Sequence, residues 1–250
     1  MSTQASDLDA RIHANRSQLR AIADVDELFV HQHWASERAL VAFIPPLART
    51  ILDIGCGPTG GMLMHVPDMV YVGVDFVTEY LAKLYNDKGA QGPWPFARRA
   101  WVTSPMETLP FPDGFFDVVY SRHALEHSND LAGTLAEIRR VLKPGGIFLF
   151  CVPARVDDTE PTHLTRWPGR RWLDALRTVG RVRFQAHHRF FIDEFYGCIE
   201  KPGGARTGWV ERLRQNLDFL YGQGVVPLWL TRLLVGLYRR LRVIVPALDR

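Results

Sequence analysis

Ile51-Leu-Asp-Ile-Gly-Cys-Gly-Pro-Thr-Gly-Gly61 decides the fold of this 250-residue chain. Ile51, Leu52 and Ile54 read as a short strand buried on both faces, as the centre of a parallel sheet requires. Gly55 and Gly57 follow at once, where a glycine permits positive φ and lets a ligand lie against bare backbone. Gly60 and Gly61 lead into a helical run. Strand, glycine turn and helix N-terminus together predict a site for a nucleotide-like ligand at the carboxyl edge of a sheet.

Two cofactors use such a turn. Gly55, Gly57 and Gly60 fit G-x-G-x-x-G, the dinucleotide fingerprint, and Asp75 lies 20 residues past Gly55, where that fingerprint places its ribose-binding acid. The same residues fit the D-x-G-x-G turn that holds S-adenosylmethionine (SAM), with Asp53 as its acid. The stretch alone leaves both open.

The segments downstream extend the pattern. Met69 to Asp75 is an apolar, β-branched second strand ending in an acid. A carboxylate at that strand end can accept both hydrogen bonds of a ribose diol, and Phe76 can cover one face of an adenine. Val77 to Tyr85 reads as an amphipathic helix, and Ala100 to Thr103 as a third strand. Leu109-Pro-Phe-Pro-Asp-Gly114 is a turn, and Phe116 to Tyr120 a fourth strand. Asp130 caps a helix through Leu142, with Leu131, Leu135, Ile138 and Leu142 on one face. Lys143-Pro-Gly-Gly146 stops it, and Ile147 to Val152 is a fifth strand.

Four ordered pieces now stand together: Leu52-Asp-Ile-Gly-Cys-Gly57, Gly73-Val-Asp75, Leu109-Pro-Phe-Pro-Asp-Gly-Phe-Phe-Asp-Val-Val119 and Val141-Leu-Lys-Pro-Gly-Gly146. In this order, from about Ile51 to Val152, the chain resembles the class I SAM-dependent methyltransferases, specifically their small "type 11" group. The resemblance implies an α/β fold: a Rossmann-like, doubly wound seven-stranded sheet, mostly parallel with an antiparallel edge strand. It implies SAM as cofactor. By position, it implies that Asp53, Gly55, Cys56 and Gly57 hold the methionine end, Asp75 the ribose, and Phe76, Met106 and Glu107 the adenine. The backbone of Ser121 is implied to meet the methionine amino group. Two positions depart from the family pattern: Thr59 stands for the third glycine of the turn, and Pro105 where an aspartate often meets the adenine amine.

The flanks are individual. Residues 1–46 read as an N-terminal helical arm or lid, with a helix over Phe29 to Phe43 carrying His31, His33 and Trp34 and ended by Pro45-Pro46. Residues 47–204 are the SAM-binding domain. Its later part holds a helix opened by Pro168 and running through Leu176. A half-buried strand follows over Arg181 to Phe191, with Val182, Phe184 and Ala186 on one face. Asp193 to Lys201 is its antiparallel partner. Residues 205–250 are a basic amphipathic tail. Its apolar stripe at Leu230, Leu233, Leu234 and Leu237 must cover the domain, a second copy in a homodimer, or a membrane surface.

Composition excludes several classes. A formal charge of +3 is too small to argue for nucleic acid. Cys56, Cys151 and Cys198 are widely spaced and suit a reducing cytoplasm. Met1 to Asp9 is polar and partly acidic, unlike a secretory signal. The expected location is cytoplasmic, with peripheral contact at the inner membrane face if the tail binds lipid. Methyl transfer needs an acceptor aligned behind the sulfonium methyl and a dry site. A hydroxyl or amine acceptor also needs a base, for which His123, His127 and His163 are the candidates, because strand ends four and five converge on the pocket. No metal-ligand spacing stands out, so a metal-independent transferase is expected, acting on a small molecule, sugar or lipid-linked acceptor. A non-catalytic methyltransferase-like partner subunit and a nicotinamide-dependent oxidoreductase are the alternatives. The third and fourth motifs argue against the latter.

Overall fold

The computed structural model describes residues 40–45, 47–57, 69–76, 99–188 and 193–204. The predicted arm with His31, His33 and Trp34, the helix Val77 to Tyr85, Thr59 and the tail 205–250 lie outside the described residues.

Seven strands form one sheet: β1 (Thr50–Ile54), β2 (Val70–Asp75), β3 (Arg99–Thr103), β4 (Phe116–Arg122), β5 (Leu142–Pro153), β6 (Arg181–His188) and β7 (Glu194–Glu200). Their order is β3-β2-β1-β4-β5-β7-β6. The first five pair in parallel. The antiparallel strand is β7, one in from the edge, inserted between β5 and β6. This is the Rossmann-like sheet that the motifs implied. Because β1 leads to β2 on one side and β4 lies on the other, the strand order reverses between β1 and β4. Ligands of open α/β sheets bind in the crevice at such a reversal, beyond the carboxyl ends of the strands.

Both faces of the sheet are buried. Along β5, Phe148, Phe150 and Val152 face one core while Ile147, Leu149 and Cys151 face the other, as the period of two demands. The first core is closed by α1 (Leu131–Val141) and α2 (Gly169–Leu176). Helix α1 starts where Asp130 accepts a hydrogen bond from Gly133 N–H (2.9 Å), and it buries Leu135, Ile138 and Val141. Each such side chain contributes about 1.5–3 kcal/mol on leaving water. Helix α2 buries Trp172, whose indole N–H donates to Pro153 O at the end of β5 (2.9 Å). The second core receives Leu40, Phe43 and Ile44. Here residues 40–44 form a turn in which Phe43 N–H donates to Leu40 O and Ile44 N–H to Val41 O.

Two local expectations shift. Lys143 to Gly146 does end α1, but the stretch is drawn into β5: Gly145 N–H donates to Lys201 O, and Lys201 N–H to Gly146 O. In β6, Val182 pairs with Ile199 but Phe184 with Cys198. Arg183 is therefore the extra residue of a β-bulge. The bulge turns Val182 toward the first core and Phe184 and Ala186 toward the second, rather than aligning all three on one face. Phe184 there stacks on Phe43, with ring centroids 5.0 Å apart, and Arg183 pairs with Glu200.

Candidate active site

The turn after β1 is built by two glycines in left-handed conformation, Gly55 (φ +71) and Gly57 (φ +60). Gly55 and Cys56 both donate their N–H groups to Val74 O, at 2.8 and 3.2 Å, which folds the turn across the end of β2. The two glycines serve different needs. A Cβ on Gly55 would lie 2.2 Å from the Ala124 Cβ, so its absence lets the loop after β4 close on the turn. A Cβ on Gly57 would meet nothing within 4 Å among the described residues, which leaves room for a ligand on that face of the turn. Gly57 N–H donates to Asp75 Oδ2 (3.1 Å), clamping the tip of the turn to the carboxyl end of β2. Phe76 follows, half-buried.

Of the remaining residues assigned to the cofactor, Ser121 supports this turn directly. Ser121 is buried, and its hydroxyl donates to Ile54 O (3.1 Å), tying the end of β4 to the end of β1. Asp53 is 1% exposed within β1 and accepts from the Tyr71 hydroxyl (2.5 Å). Cys56 packs its sulfur over Gly73. Burial, with the charges of Asp53 and Asp75, pushes its thiol well above the ordinary value, so it is neutral. Met106 lies in the first core. Glu107 accepts from Ser128 Oγ (3.1 Å) and Asn129 N–H (2.9 Å), which ties the loop after β3 to the loop after β4.

Beside the turn, the carboxyl ends of β4 and β5 carry the three histidines, and the structure brings them together. His123 sits at φ +47, a costly conformation for a residue with a Cβ. Its N–H donates to Cys151 O (2.9 Å). Its Nε2 meets Glu194 Oε1 at 2.7 Å, and the same oxygen accepts from Arg122 Nη2 at 3.1 Å. A 3₁₀ turn over Leu125–His127 follows. There Glu126, fully buried, places Oε1 at 3.5 Å from His123 Nδ1 and 3.8 Å from His163 Nε2. The rings of His127 and His163 meet edge to face, 4.8 Å apart. His127 Nδ1 lies 2.9 Å from Thr162 O, and His163 Nδ1 bonds Asp158. Leu164 and Thr165 donate their N–H groups to Glu126 O, at 2.8 and 3.0 Å, pinning the loop after β5 to the turn after β4.

The charges follow from these contacts. Burial works against a charge on His123, but its contacts with Cys151, Glu126 and Glu194 outweigh it and raise the imidazole well above its ordinary value. His123 is therefore an imidazolium at neutral pH, a poor proton acceptor in the resting state. Burial likewise raises Glu126, but His123 and His127 outweigh it and hold the carboxyl below its usual range.

Glu126, Glu194 and Asp158 were not singled out from the sequence. Glu126 stands one turn after His123 and next to His127, a spacing that could have flagged it. Glu194 reaches His123 only because β7 inserts beside β5, and no local pattern announces that.

Comparison with known proteins agrees with this geometry. A family profile described as a methyltransferase domain matches residues 52–150. A sterol 24-C-methyltransferase of Pneumocystis carinii is 29% identical over 162 residues, which is 61% of this chain and 40% of that protein. A sarcosine/dimethylglycine N-methyltransferase of Halorhodospira halochloris is 30% identical over 139 residues, 47% of this chain and 49% of that protein. The chain thus spans less than half the length of these relatives. Among solved structures, the fold matches a complex of the Haloferax volcanii Trm112 methyltransferase activator with a methyltransferase. That match has a TM-score of 0.57 and 22% identity, and covers 69% of this chain and 92% of that one. The fold also matches Haemonchus contortus phosphoethanolamine N-methyltransferase 2 in complex with SAM. There the TM-score is 0.54 with 16% identity, over 68% of this chain and 53% of that one.

Proposed function

We propose, from the premise that residues 52–150 form a class I SAM-dependent methyltransferase domain, that this chain transfers the methyl group of SAM to a hydroxyl or amine of a small-molecule, sugar or lipid-linked acceptor. The observation that carries the cofactor side is the Gly55–Gly57 turn, open above Gly57 and clamped to Asp75. The turn offers backbone to the methionine end, and the Asp75 carboxylate accepts from the ribose hydroxyls. Phe76 covers the adenine.

The cofactor supplies the electrophile and the leaving group. The protein aligns the acceptor and excludes water. The polar character of the acceptor is supported by what flanks the turn: Arg122, His123, Glu126, Glu194 and Asp158 are charged groups set at the ends of β4 and β5. The imidazolium of His123 and the carboxylates around it orient polar acceptor atoms by charge-assisted hydrogen bonds. Relatives that act on sterol carbon and on amines share the domain, so the choice of acceptor belongs to the loops outside it.

A thermal-shift series tests the cofactor assignment. SAM and S-adenosylhomocysteine raise the melting temperature in proportion to ligand binding, by about 2.7 kcal/mol of stabilisation at a hundredfold excess over Kd. NAD leaves it unchanged. A shift with NAD alone would overturn the assignment.

A further inference from the structure

We propose that Glu126, His127 and His163 form a binding site for one divalent transition-metal ion, with Zn²⁺ as the ion that suits it best. The three residues offer a carboxylate oxygen and two imidazole nitrogens that all lie within 4.8 Å of one another. Two imidazoles and one carboxylate are a common zinc set, leaving a fourth position for water or a ligand oxygen. Zinc–ligand bonds of about 2.1 Å in a tetrahedron place ligand atoms roughly 3.4 Å apart. The 3.8 Å between Glu126 Oε1 and His163 Nε2 is already close to that.

Two independent observations point to a cation. Both carboxylate oxygens of Glu126 are buried and have no hydrogen-bond partner among the described residues. A buried carboxylate without close partners is costly, and the nearest imidazole nitrogens, those of His123 and His163, stand off from Glu126 Oε1 at 3.5 and 3.8 Å. Each candidate histidine is also held from behind. His127 Nδ1 faces the Thr162 carbonyl and His163 Nδ1 the Asp158 carboxylate. Donation of the His163 Nδ1–H to Asp158 leaves Nε2, the atom that faces Glu126, with its lone pair, and metal-bound histidines are oriented in this way. The neighbouring group of His123, Cys151 and Glu194 lacks these features, because Glu194 already bonds Arg122 and His123. The ligands come from two loops, and the bonds of Leu164 and Thr165 to Glu126 O hold those loops in register.

The test uses the full, untagged chain, stripped with a chelator and desalted. Calorimetric titration with Zn²⁺ gives one ion per chain with Kd of about 1 μM or below, and Co²⁺ gives the visible absorption of a tetrahedral site. His163→Ala and Glu126→Gln abolish the saturable binding. Asp158→Asn, which touches the ion only through His163, weakens it roughly 10- to 100-fold. A cooperative melting transition shows that each variant is folded, and if the first two do not fold, Asp158→Asn carries the test. Absence of saturable Zn²⁺ binding by the wild type overturns the site. So does unchanged affinity in the folded variants. Neither outcome depends on whether SAM binds.

Discussion

Gly55 and Gly57 share a conformation but not a reason for it. Alanine at Gly55 must bear positive φ and a Cβ 2.2 Å from that of Ala124. Alanine at Gly57 bears only the backbone penalty, about 1–2 kcal/mol, in open space. Gly55→Ala should therefore melt well below Gly57→Ala, whereas Gly57→Ala should stay folded and lose affinity for SAM. Equal melting temperatures would mean that the loop after β4 yields to the turn. The turn at Gly55 and Gly57 was legible in the sequence, because a glycine pair directly after a buried strand is a local demand. Glu126 was not. Its significance comes from burial, and from His163 reaching it from a separate loop.

Elements are held to one another by side chains whose role the motifs do not announce. The turn from Leu109 to Asp113 is fixed by α1: Arg140 donates to Leu109 O, Phe111 O and Asp113, and Glu137 accepts from Leu109 N–H. The sequence identified the turn but not its anchor. Asp117 of β4 plays a similar part among the amino ends of β1, β4 and β5. It accepts from Arg49 N–H, Thr50 N–H, Thr50 Oγ1 and Lys143 Nζ, at 2.9, 3.0, 2.9 and 2.7 Å. Burial raises its carboxyl, but these bonds outweigh burial and hold it below the usual range. A lowered folded value means that its ionised form adds stability above the ordinary carboxylate range, and that this is lost as pH falls through the folded value. Asp117→Ala should cost about 1–3 kcal/mol at neutral pH. Melting curves across an acid series should show the gap to wild type closing as pH falls. A gap that is constant down to strong acid would contradict the ionic part of this account. The bulge at Arg183 was equally illegible, since alternation of apolar residues reads the same with or without one extra residue.

At the scale of the molecule, the order β3-β2-β1-β4-β5-β7-β6 places the site. The reversal between β1 and β4 brings the glycine turn, Asp75, Ser121 and His123 to the carboxyl ends of neighbouring strands, although they lie far apart in sequence. The parallel core was readable because β1, β2 and β5 carry buried apolar runs, with glycine turns beside β1 and β5. The placement of β7 was not, because β5–β7 pairing bridges the loop, helix α2 and strand β6 that intervene. Among the described residues, no helix is long and apolar enough to cross a membrane. The central claim is that SAM binds over Gly57 with its ribose on Asp75. Isothermal titration of S-adenosylhomocysteine into the wild type and Asp75→Ala tests it most directly. Loss of hydrogen bonds to a charged acceptor, worth about 1.5–3 kcal/mol, predicts at least a tenfold weaker Kd for a variant that still melts cooperatively. An unchanged Kd would contradict it.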